Sequence, residues 1–146
     1  MTATSVPAST ATTDARRRRR LTRAASVIGA SCLTSAIFAI GRAAGTDFTI
    51  TDPGPDGQSH TFVLPEIAII TLIIGLAGWA TLAVLERFTS RARVIWIALA
   101  TVIVLLSLPP IWIEQATTGT RALLAVIHVA VGLALIPMVR VPARRG

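Results

Sequence analysis

The stretch Arg16-Arg17-Arg18-Arg19-Arg20-Leu21-Thr22-Arg23 runs directly into Ala24-Ala25-Ser26-Val27-Ile28-Gly29-Ala30-Ser31-Cys32-Leu33-Thr34-Ser35-Ala36-Ile37-Phe38-Ala39-Ile40-Gly41. As a helix, the apolar part from Leu21 to about Gly41 reaches about 30 Å, the thickness of a bilayer's hydrocarbon core. Arginines banked against one end of such a helix hold that end on the cytoplasmic side. A basic stretch before an apolar run also opens a signal peptide, but that apolar core is shorter, about 7–15 residues. The length points to a retained span, with Ala43-Ala44-Gly45 as the place where a cut would fall.

Three more apolar runs follow, at about 65–85, 94–113 and 120–140. Pro65 suits a first helical position, and Glu66 suits the first turn beside it. Ser90 is placed to cap the third run. With the N-terminus inside, Arg16 to Arg20 and Arg23, then Arg87, Arg91 and Arg93, then Arg140, Arg144 and Arg145 all lie on the cytoplasmic side. Of the 14 basic residues only Arg42 and Arg121 fall outside. Asp47, Asp52, Asp56, Glu66 and Glu114 also fall there, although acids weigh little in this rule.

The loop 42–64 is the one sizeable segment between runs. Asp47-Phe48-Thr49-Ile50-Thr51 and Ser59-His60-Thr61-Phe62-Val63 are rich in β-branched and aromatic residues, and Asp52-Pro53-Gly54-Pro55-Asp56-Gly57 between them is dense in turn formers. The expectation is an all-α membrane protein, an antiparallel four-helix transmembrane bundle over residues 21–140. A short extracytoplasmic β-hairpin joins helices 1 and 2 and leans on the helix ends. Residues 1–20 read as a disordered cytoplasmic tail ending in the polybasic run, and 141–146 as a basic cytoplasmic tail. Such a chain belongs in a bacterial plasma membrane, crossing it several times.

Composition agrees. Of the 146 residues 53% are apolar and 14% charged, against roughly 25% charged in soluble domains. The net charge of +7 comes entirely from arginine. No basic-aromatic surface accompanies it, so anionic lipid head groups, and not nucleic acid, are the expected partners of Arg16, Arg17, Arg18, Arg19, Arg20 and Arg23. Cys32 is the single cysteine. It excludes an intramolecular disulfide or a C-x-x-C pair and reads as a small packing residue.

The order of a basic Thr/Ala-rich N-terminus, the Gly45-Thr46-Asp47-Phe48-Thr49-Ile50-Thr51 segment and the Gly75-Leu76-Ala77-Gly78-Trp79-Ala80 helix resembles a family of actinobacterial four-span membrane proteins of unassigned function. So does the closing stretch from Ala116 to Pro137. The resemblance covers about residues 16–140. It implies the topology and no activity.

Ionisable or polar groups deep in a membrane need a reason. His128 is the ionisable residue well inside an expected span, about eight residues and so roughly 12 Å from its outer end. Thr34 and Ser35, Thr71 and Ser107 fall at comparable depth in the other three spans, with Glu66 just above them. Together they form a candidate polar layer in the outer leaflet. The bland reading has His128 bonding another helix to fix register. The functional one makes it the centre of an outward-facing pocket lidded by the hairpin. Pro109 and Pro110 either kink the third span or end it, freeing the carbonyls of Leu105 and Leu106. Gly75, Gly78 and Thr71 on one span, with Ala30 and Thr34 on another, form small faces for close helix contact. Glu86 is placed to pair with Arg87, and His60 with Asp52 and Asp56 makes a weak zinc pattern.

Several activities lack their residues. A two-histidine haem needs paired intramembrane His, and a thiol oxidoreductase needs two Cys. A proton-coupled exporter needs an acid within a span, and a Ser-His-Asp set needs a buried Asp. No catalytic, cofactor or metal site is expected, and an enzyme is not expected. What remains is a non-enzymatic membrane subunit or interaction protein that binds another membrane protein, or itself. The alternative is a small transporter or ligand-binding protein around His128.

Overall fold

The computed structural model describes residues 8–139. Four helices carry the architecture: α1 (Ala8–Ala43), α2 (Leu64–Phe88), α3 (Ala92–Ile113) and α4 (Thr118–Leu135), which runs on into a 3₁₀ turn at Ile136–Val139. All four are long and apolar enough to cross a membrane. Each helix packs on its sequence neighbour, and α4 closes the ring against α1. Short connections force this arrangement, because three residues between α2 and α3 and four between α3 and α4 cannot reach past a neighbour.

Local chemistry sets the helix ends. Pro65 opens α2, and the Glu66 carboxylate reaches back to the Val63 N–H at 3.4 Å. Thr117 caps α4, its Oγ1 accepting from the Thr120 N–H at 3.2 Å. Gly45, at φ 90, closes α1: its N–H bonds the Arg42 carbonyl, and the Thr46 N–H bonds that of Gly41. This is the paired-bond ending that needs a left-handed residue.

Two expectations are corrected here, and one open alternative is settled. Residues 8–20 were expected to be without structure, yet α1 starts at Ala8 and runs 36 residues. Alanine and arginine are good helix formers, and extending a nucleated helix costs far less than starting one. Ser90 does not cap α3. The cap position is Arg91, whose N–H is taken by the Thr89 hydroxyl at 3.1 Å. Pro109 and Pro110 do not end α3, which continues through both to Ile113. The fourth span leaves α-helical geometry at Ile136, where Pro137 cannot donate the next bond. Residues 1–7 and 140–146, including Arg140, Arg144 and Arg145, lie outside the described residues.

Strands β1 (Thr49–Thr51) and β2 (Ser59–Thr61) pair antiparallel, Ile50 opposite His60. Hydroxyl pairs reinforce the register, Thr49 with Thr61 at 2.8 Å and Thr51 with Ser59 at 2.9 Å. The other edge of β1 is also taken. Thr51 exchanges both backbone bonds with Gln115, at 2.8 and 3.0 Å, in the α3–α4 connection. A two-stranded hairpin is marginal alone, so this third partner matters.

The core falls into two clusters. At the hairpin end Phe38, Phe48, Ile67, Ile111, Leu124 and Ile127 pack together; at the arginine end Val27, Ala30, Leu82, Trp96, Leu135 and Met138 do so. Of the expected small faces, Gly75 lies against α1, whereas Gly78 turns to α3. A Cβ on Gly75 would come within 2.9 Å of Val27, and one on Gly78 within 2.9 Å of Trp96.

Candidate functional site

The six residues of the expected polar layer do not form one site. Thr34 and Thr71, both buried, meet across α1 and α2 with their hydroxyls 3.1 Å apart. Thr34 Oγ1 also donates to the Ser31 carbonyl at 3.1 Å. Ser107 Oγ donates to the Val104 carbonyl of its own helix at 2.7 Å, and His128 Nδ1 bonds the Leu124 carbonyl one turn back at 2.7 Å. Helical Ser and Thr commonly satisfy themselves this way, and here His128 does the same, making no cross-bundle bond. Its Nε2 bonds no described residue. Ser35 is half-buried and stands apart from the Thr34–Thr71 pair.

Glu66 leaves the layer altogether and joins the hairpin. His60 Nε2 lies 2.9 and 3.1 Å from its two carboxylate oxygens, and the His60 ring meets Phe62 edge-on at 4.9 Å. The weak zinc pattern of His60, Asp52 and Asp56 is not assembled: Asp52 accepts the Gly54 N–H at 3.0 Å in its own turn, and His60 turns to Glu66. Among the described residues no three His, Cys, Asp or Glu side chains converge as metal ligands.

The more connected polar cluster is one that the sequence reading missed. Thr117 Oγ1 donates to Thr120 Oγ1 at 2.9 Å, and Thr120 Oγ1 donates to Asp47 Oδ1 at 2.9 Å. Arg42 Nη1 donates to the Asp47 carbonyl at 2.7 Å. One chain of bonds thus clamps the end of α1 to the start of α4. The Thr120 hydroxyl, and then the Thr49 N–H, hold the Asp47 carboxyl below its ordinary value of 3.8. A lowered folded value contributes stability that is present above the unfolded value and lost as pH falls through the folded one. The stability difference between wild type and Asp47→Asn is therefore expected to be constant from pH 7 to 5 and to close below about pH 4. Thermal melts of both chains across that range check it; a gap unchanged at pH 3 refutes it.

At the opposite end the structure corrects two assignments. Arg16, Arg17, Arg18, Arg19 and Arg20 are exposed, as expected of a basic flank. Arg23 is not. It is buried between helices, and its Nη2 donates to Glu86 Oε1 of α2. Glu86 thus pairs with Arg23 and not with Arg87. Arg23 lies four and seven residues before Val27 and Ala30, on the stripe of α1 that faces the core, and one turn closer to them than Arg20. That spacing was the available signal.

A search of curated proteins returned no match, and neither did a search of solved structures. A family model matches residues 14–145, which takes in most of α1, the other three helices and the hairpin. The chain belongs to this family, described as a family of unknown function (DUF6069).

Proposed function

We propose that this is an integral protein of a bacterial plasma membrane, crossing it four times with both ends in the cytoplasm and the hairpin outside. We further propose that it acts as a non-enzymatic subunit or interaction protein, its partner another membrane protein or a second copy. What carries the reading is α3. Apart from Ala92, Trp96 and Ile111 its residues stay outside the core, with Val94, Ile103, Leu105, Leu106 and Ile113 all more than half exposed. A belt of that size in water would be an aggregation liability, whereas in hydrocarbon it costs nothing. The arginine-poor hairpin end supports the orientation. That Thr34, Thr71 and Ser107 are already bonded within the bundle supports an interaction role over a binding pocket. The rival reading, a transporter or ligand-binding protein, is favoured only by the unengaged Nε2 of His128. Intact assembly with a lost uptake or binding phenotype in His128→Leu would support it.

Orientation is tested with a membrane-impermeant maleimide, in a Cys32→Ser background because Cys32 is exposed. Gln58→Cys in the hairpin is expected to label in intact cells, and Ser90→Cys between α2 and α3 only after lysis. The reverse pattern overturns the topology.

A further inference from the structure

We propose that the groove between α3 and α4 binds an anionic phospholipid of the cytoplasmic leaflet, with one acyl chain along the groove and the phosphate at Arg93. This rests on the membrane reading above. The groove is half-open, about 170 Å³ in volume, and lined by Trp96, Ala100 and Val104 of α3 with Val129 and Gly132 of α4 and Ile136 of the 3₁₀ turn. Gly132 lets the helices close behind it, since a Cβ there would stand 2.8 Å from Val104 Cγ2. The hydroxyl in its lining, that of Thr101, already donates to the Ile97 carbonyl at 2.8 Å. A polar ligand would find no partner along these walls, while a hydrocarbon chain loses nothing by entering.

Length and charge identify the occupant further. The α3 wall runs from Trp96 to Leu105, about 14 Å of helix rise, which is roughly the depth of one leaflet. Its end towards Trp96 is the arginine end. Arg93 lies three and four residues before Trp96 and Ile97, so it shares their stripe and stands at the mouth of the groove. The side chain is exposed and belongs to neither ion pair of the described residues. Arg91, exposed as well, adjoins it at the start of α3. A guanidinium at head-group depth above an apolar slot of one leaflet's length matches a phosphodiester with its acyl chain below.

The full chain, purified in mild detergent, is offered palmitoyl-oleoyl phosphatidylglycerol or phosphatidylcholine, and retained lipid is counted by native mass spectrometry. Wild type is expected to retain the anionic phosphatidylglycerol at least tenfold better than the zwitterionic phosphatidylcholine. Arg93→Gln should bring the ratio near one, and Thr101→Trp, at an exposed position facing the groove, should lower retention of both. Equal retention of the two lipids by wild type overturns the proposal, as does retention untouched by Thr101→Trp. A dimer that buries the groove overturns it too. Extraction by alkaline carbonate would sink the membrane reading itself, so the two failures are distinguishable.

Discussion

Phe48→Ala is expected to lower the unfolding free energy by about 3–5 kcal/mol, the range for removing a buried aromatic ring. Phe48 is 0% exposed. Its ring lies 4.3 Å from that of Phe38, and its edge sits over Gly41, where a Cβ would come within 2.8 Å of it. The residue also holds φ at 53°, a left-handed conformation that costs an L-residue about 1–2 kcal/mol. Burial of the ring offsets that cost. A sharper consequence follows from the backbone. Glycine is ordinarily worse than alanine within structured segments by about 0.5–1 kcal/mol, but at this position Phe48→Gly should be no worse than Phe48→Ala, because glycine adopts the angle freely. Unfolding titrations in mixed micelles measure both variants. An alanine variant within about 0.5 kcal/mol of wild type would refute the anchoring role.

Glu86→Ala is the second large effect. It leaves the Arg23 guanidinium charged and inside the bundle, with its Nε already buried and bonding none of the described residues. Breaking a fully buried pair costs about 3–5 kcal/mol. The Glu86 side chain is 36% exposed against 9% for Arg23, so water softens the loss to about 2–3 kcal/mol. Removing both charges together, as Arg23→Met with Glu86→Leu, should recover most of that loss, since an apolar pair replaces an ion pair at little cost. A double variant as unstable as Glu86→Ala would show that the charge is not the cause.

The fold was legible because its signals are one-dimensional. Run length and the turn formers at Asp52 to Gly57 each act locally, and the helices and hairpin appear where those signals lie. The polar layer was less legible because depth along a helix says nothing of direction around it. Thr34 and Thr71 sit at similar depth and also face each other, so they meet. Ser107 and His128 share the depth but turn to their own backbones. Arg23 was counted with the run, although it stands one turn further along α1, in line with Val27 and Ala30 and opposite Glu86. The Asp47–Thr120 clamp joins residues 73 positions apart, and no local pattern announces a contact of that span.

The Thr51–Gln115 bridge has a mechanical consequence. It laces the α1–α2 loop to the α3–α4 loop by backbone bonds, while the other end is held by the short α2–α3 connection, side-chain packing and the Arg23–Glu86 pair. Backbone amides at the arginine end of α1 and α2 are therefore expected to exchange with solvent before those beside the bridge, and the reverse order would show that the bridge carries no such load.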